Sequence, residues 1–116
     1  MFTLGELLSR ADICSRLKIA WSERAVVSAP DHSLAIIINE KDPVYVNILD
    51  LPNKQLTMQG RDDVRGEWIE DPTELIRLFF RFSQQPRYKY LGRVQCVGFA
   101  PWGTTANPAR IFTLLD

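Results

Sequence analysis

Between residues 30 and 86 the chain is broken repeatedly by turn-forming groups: Pro30-Asp31-His32-Ser33, Lys41-Asp42-Pro43, Leu51-Pro52-Asn53-Lys54, Gly60-Arg61-Asp62-Asp63 and Ser83-Gln84-Gln85-Pro86. Proline has no N–H to give to a helix or a ladder, and Asn, Asp and Gly adopt turn conformations that other residues resist. Long helices do not fit between such breaks, so the apolar segments that remain read as short strands. Residues 25–28 and 34–38 read as a hairpin whose second strand is apolar at every position, as burial on both faces requires. Val44, Val46 and Ile48 alternate with Tyr45, Asn47 and Leu49, and Leu56 shares a face with Met58. Residues 64–69 offer a further strand, and the whole stretch from 25 onward reads as a β meander.

The remaining elements follow by the same logic. Residues 88–99 form the longest strand candidate, with Gly92 and Gly98 as points of bulging or close backbone approach. Residues 100–109 carry Pro101, Gly103, Asn107 and Pro108 and read as an exposed connection before a closing strand at 111–115. At the N-terminus, Thr3-Leu4-Gly5-Glu6 has the form of a capping box, which predicts a helix over about 4–19, with a break near Ser9. Residues 71–82 admit two readings. Asp71-Pro72-Thr73-Glu74 has helix-start chemistry, whereas a strand would place Arg77, Phe79 and Arg81 on one face and Ile76, Leu78, Phe80 and Phe82 on the other. The cap chemistry tips this segment toward a second helix at 72–82, and the two arginines lie side by side in either case. The fold class is therefore α+β and mainly β: a barrel or pseudobarrel of six to eight short, mostly antiparallel strands with an N-terminal helix. With 116 residues, 46% of them hydrophobic, and no linker-like tract, residues 1–116 read as a single globular domain.

Catalytic chemistry is poorly supplied. His32 is the one histidine and stands in a turn, and Cys14 and Cys96 are far apart, with no CxxC spacing. They read as buried thiols of a reducing, cytoplasmic protein rather than as metal ligands. Neither phosphate-binding glycine signature occurs, and the carboxylates at 62–74 are interspersed with Arg61 and Arg65, as in a solvated, ion-paired loop. The apolar runs fall far short of the roughly 20 residues of a membrane span. The expectation is a protein that is no enzyme, with no cofactor, no metal and no membrane association.

Charge points elsewhere. No acidic residue occurs from 75 to 115, a stretch that holds Arg77, Arg81, Arg87, Lys89, Arg93 and Arg110. Residues 1–74 hold eight Lys/Arg and thirteen Asp/Glu, a net of −5, and residues 75–116 hold six and one, a net of +5, so the zero total conceals a split. The basic stretch is interleaved with aromatics, the mixture that nucleic-acid readers use, although the same pattern fits core aromatics beneath a solvated cationic face. Arg77, Arg81, Arg87, Lys89 and Arg93 are the candidate phosphate or base contacts, because a guanidinium fork suits both. Arg10 and Arg61 are weaker additions. Tyr88 and Tyr90 suit stacking on a base or packing in the barrel, with packing favoured, and Trp102, between Pro101 and Gly103, is a candidate exposed contact. Trp21 and Trp68 flank strands and read as core.

The order of several short motifs adds a family. Gly5-Glu6-Leu7-Leu8-Ser9-Arg10-Ala11-Asp12-Ile13 has the form GxxxxRxDI; Leu78-Phe79-Phe80-Arg81 matches LFxR; Tyr90-Leu91-Gly92-Arg93-Val94 is an aromatic-Leu-Gly strand; and residues 108–115 close the chain. In this the sequence resembles the small DNA-recognition pseudobarrels attached to restriction and HNH-type endonucleases, relatives of the plant B-three DNA-binding fold. The likeness covers both ends and little of 21–68. It implies a strand at the LFxR segment, a module without catalysis, double-stranded DNA as partner, sometimes with a modified base, and a nuclease domain or partner protein. A contrasting expectation is a small protein-interaction or accessory protein of a mobile element or defence system, with no nucleic-acid binding.

Overall fold

The computed structural model describes residues 2–60, 69–101 and 108–116. Along them run β1 (Leu7–Leu8), α1 (Arg10–Leu17), β2 (Val26–Ser28), β3 (Leu34–Asn39), β4 (Asn47–Asp50), β5 (Gln55–Met58), β6 (Ile76–Arg81), β7 (Tyr88–Ala100) and β8 (Ala109–Leu114). The strands form one mixed sheet in the order β2-β3-β6-β7-β8-β5-β4, with β1 added along β7. The sheet curls without closing, which is the expected mainly-β pseudobarrel. Every pairing is antiparallel except β3 with β6. The meander is therefore corrected: β3 neighbours β6 and not β4, and the β4–β5 hairpin is carried across to the far edge of the sheet.

The N-terminal helix is shorter than its periodicity suggests. Thr3-Leu4-Gly5-Glu6 makes a turn, with the Thr3 N–H donating to the Glu6 carboxylate at 3.1 Å and Gly5 at φ +83°. A residue with a Cβ resists that conformation. The break falls at Ser9, which is the true N-cap: its hydroxyl accepts from Asp12 N, and Asp12 answers by accepting from Ser9 N.

Residues 71–82 are a turn and a strand, and the second helix is overturned. The Asp71 carboxylate accepts from Thr73 N at 2.8 Å and from the Thr73 hydroxyl at 2.7 Å, and Glu74 N donates to Asp71 O at 3.2 Å. The residues of a cap are thus used to make a tight turn. β6 then lies between β3 and β7, and both its faces are covered. Ile76, Leu78 and Phe80 join the barrel core with Leu34, Ile36, Ile38, Leu56, Met58 and Phe112. Phe79 joins a second core with Ala35, Ile37, Ile13, Leu17, Tyr88 and Tyr90 under α1. A central strand needs apolar side chains on two faces, and that gave the segment its helix-like density of apolar residues.

Both expected irregularities of β7 occur beside its glycines. Leu78 pairs with Gly92 but Phe79 with Tyr90, which leaves Leu91 as the extra residue; Cys96 pairs with Phe112 but Gly98 with Ile111, which leaves Val97. Cys14 is buried and Cys96 half-buried, its thiol pushed up by burial. Trp21, expected in the core, is 59% exposed, because the segment before β2 runs over the surface. Among the described residues no helix is long and apolar enough to cross a membrane.

Candidate nucleic-acid interface

The parallel pairing of β3 with β6 fixes one end of the pseudobarrel. It sets Asn39 opposite Arg81, so that the segment leaving β3 (Glu40, Lys41) and the loop leaving β6 (82–87) start side by side. Glu40 N donates to Arg81 O at 2.9 Å, and the Glu40 carboxylate accepts from Ser83 N at 2.8 Å. The Ser83 hydroxyl first and its backbone N–H second, with the nearby Lys41 charge as a minor cause, hold the Glu40 carboxyl below its ordinary value. Gln85 N returns to Phe82 O at 3.1 Å, Gln84 takes a left-handed φ of +67°, and the Phe82 ring meets Phe80 edge-on at 5.0 Å. The β6–β7 loop is thereby pinned at its base, while Gln84, Gln85, Pro86 and Arg87 stand exposed.

A cleft lies on either side of this loop. One, of about 260 Å³, is lined by Asn39, Lys41, Arg81 and the first half of the loop. The other, of about 400 Å³, is lined by Gly5, Leu7, Arg87 and Lys89. Phe82 and Gln85 border both. Among the described residues Lys41, Arg81, Arg87 and Lys89 enter no ion pair. Two carboxylates stand near these cations: Glu40, which feels the Lys41 charge, and Asp12, whose carboxyl is lowered mainly by the Ser9 hydroxyl and only secondarily by the field of Arg87.

The other expected contact residues are placed differently. Arg77 is half-buried under the N-terminal segment, donating to the Ser33 hydroxyl at 2.9 Å and lying 5.8 Å from the centre of the Phe2 ring. Arg93 is held by Asp116, which accepts from its backbone N at 2.7 Å, from Nε at 3.1 Å and from Nη2 at 2.8 Å. The same contact draws the Asp116 carboxyl down to about 2. Arg110 pairs with Glu70 at 2.9 Å. The segment free of acids in sequence is thus not free of them in space.

Tyr88 and Tyr90 are 6% and 8% exposed, so packing is their position. Tyr90 forms an aromatic trio with Phe2 and Phe79, with ring centres 4.9–5.4 Å apart, and burial chiefly raises its hydroxyl pKa. The Tyr88 ring has Arg10 at 5.3 Å and Arg81 at 5.5 Å. It steadies the Arg81 guanidinium at the lip of the smaller cleft by a cation–π contact. Arg10 itself faces inward, donating to Ser22 O, Arg24 O, Ile37 O and the Tyr88 hydroxyl. Trp102, Arg61, Trp68 and most of the strand expected at 64–69 lie outside the described residues.

Sequence reading missed Lys41 and the two glutamines. Lys41 belongs to the acidic half of the chain, and only the β3–β6 pairing brings it to Arg81; Gln84 and Gln85 carry no charge and read as loop filler.

No protein-family model matches the chain, and no curated protein matches its sequence. Among solved structures it is similar to the DNA recognition domain of the cytosine modification-dependent restriction endonuclease LpnPI, with a TM-score of 0.63 over 97% of this chain and 71% of that one, at 17% sequence identity. The resemblance found in the short motifs therefore holds at the level of the fold: this chain has the pseudobarrel architecture of a restriction-endonuclease DNA recognition domain.

Proposed function

We propose that this domain is a non-catalytic reader of duplex DNA in a restriction-type system, docking through the end of the pseudobarrel that carries Lys41, Arg81, Arg87 and Lys89. The observation that carries the reading is the gathering, around one exposed, pinned loop, of four cations that enter no ion pair among the described residues, on a fold shared with a DNA recognition domain. Cations left unpaired by their own chain are those that phosphates can pair without first breaking a contact. Arg77, Arg93 and Tyr88 act behind this surface, by holding the strands that present it. The structural neighbour is the DNA recognition domain of a cytosine modification-dependent endonuclease, so cytosine modification is the feature of the target to vary first. Cutting would be supplied by a nuclease domain or partner protein.

Fluorescence anisotropy with labelled duplexes, unmodified and 5-methylcytosine-containing, tests this at low and physiological salt. Four phosphate contacts predict a slope of log K against log salt of about −3 to −4. Lys41→Glu with Arg87→Glu, both at exposed positions, should remove most of the affinity while leaving the melting temperature unchanged. Absence of binding at low salt would retire the DNA reading in favour of protein interaction.

A further inference from the structure

The loop between β6 and β7 has a chemistry that phosphate binding alone leaves unused. We infer that Gln84 and Gln85, at its tip, are specificity-determining residues that read base edges in a DNA groove while the cations on either side hold the flanking phosphates. The inference rests on the DNA reading proposed above and goes beyond it by assigning the sequence preference to two side chains.

Three observations support it. First, both glutamines are exposed and their side-chain amides make no hydrogen bond among the described residues. A primary amide offers a donor and an acceptor on one planar group, which is the pattern that pairs in bidentate fashion with the N6 and N7 positions of adenine in the major groove. Second, the tip is already ordered. Ser83 N is tied to Glu40, Gln85 N to Phe82 O, Gln84 occupies the left-handed region and Pro86 has a fixed φ. Little backbone entropy remains to be lost on docking, so a hydrogen bond made there is not spent on ordering the main chain of the loop. Third, the charges are arranged around the tip and not on it. Lys41 and Arg81 line the cleft on one side, Arg87 and Lys89 the cleft on the other, and Gln85 borders both. A two-stranded β-ribbon fits a major groove about 12 Å wide, whose rims are the two phosphate backbones. Amides on the tip and cations on its flanks match that cross-section.

The test separates the inference from the reading beneath it. The wild-type domain is used to enrich binders from two pools of duplexes with a randomised core, one made with cytosine and one with 5-methylcytosine, and the enriched duplex is compared with a scrambled one by anisotropy. The variant is Gln84→Gly with Gln85→Ala; glycine is chosen because φ at 84 is +67°, where alanine would be strained. The expected result is a loss of about 5- to 150-fold in preference for the enriched duplex, the discrimination of one good bidentate contact. Affinity for the scrambled duplex and the salt slope should stay unchanged, and thermal melting should confirm the fold. If the wild type binds without preference, or the variant keeps the wild-type preference, the glutamines are not the readers although the domain still binds DNA. If the wild type binds neither pool at low salt, both readings fall together.

Discussion

The Arg10 guanidinium reaches three main-chain carbonyls and the Tyr88 hydroxyl, and so joins α1 to the segment before β2, to β3 and to β7. Arginine can do this because its donors lie in a rigid planar fork; a lysine ammonium of similar reach presents a single point. Arg10→Lys should therefore lower stability by about 1–3 kcal/mol in chemical denaturation, since hydrogen bonds to charged groups are lost and carbonyls are left unpaired. The salt slope of DNA binding should not change. This gives the GxxxxRxDI motif a physical meaning. Gly5 makes a left-handed turn, Arg10 joins four segments, Asp12 caps the helix and Ile13 is fully buried. The motif was legible as a family mark, but its basic residue is a structural one. Charge alone does not distinguish a cation that faces inward from one that faces a ligand.

At the scale of elements, β7 is the spine of the sheet, pairing with β1, β6 and β8 and bulging beside each glycine. Gly92 adopts φ +91°, and a Cβ there would stand 2.7 Å from the Asp116 carboxylate. Gly92→Ala should lower the stability measured by chemical denaturation by at least about 1 kcal/mol, through backbone strain and displacement of the Asp116 side chain together. Gly98→Ala should cost less, because a Cβ at that position meets nothing within 4 Å. Such positions were readable from sequence, since a glycine inside a strand pattern weakens the strand and so marks a bulge or a close approach of backbone. The β6 segment was harder. Local cap chemistry at 71–74 and apolar density at 75–82 both argue for a helix, and only the partners on either side decide for a strand. Those partners, β3 and β7, are held by pairing across the sheet, so no local window contains the deciding interaction.

For the whole molecule, the electrical split seen in the sequence is partly undone by folding. Arg93 is met by Asp116 and Arg110 by Glu70, whereas Arg81, Arg87 and Lys89 around the β6–β7 loop enter no ion pair among the described residues. The Asp116 carboxyl falls from 3.8 to about 2 through its bonds with Arg93. A pKa lowered by folding contributes stability above the unfolded value, and that contribution is lost as pH falls through the folded one. Stability should therefore decline between pH 3.8 and about 2, and Asp116→Asn should flatten that part of a denaturation-midpoint profile against pH. The sequence announced a basic half. Which of its cations are free depends on carboxylates contributed from elsewhere in the fold.

The parallel register of β3 and β6 also governs when the proposed site comes into being. Antiparallel neighbours such as β4 and β5 meet across a short turn, whereas β3 and β6 can meet only after the whole segment from 40 to 75 has been looped out. Contacts of such separation form slowly, because the entropy of closing the loop must be met before any contact rewards it. Lys41 and Arg81 come together through that pairing. A chain in which only the local hairpins have formed would lack the basic end, so the proposed competence for DNA would follow closure of the 40–75 segment and not precede it.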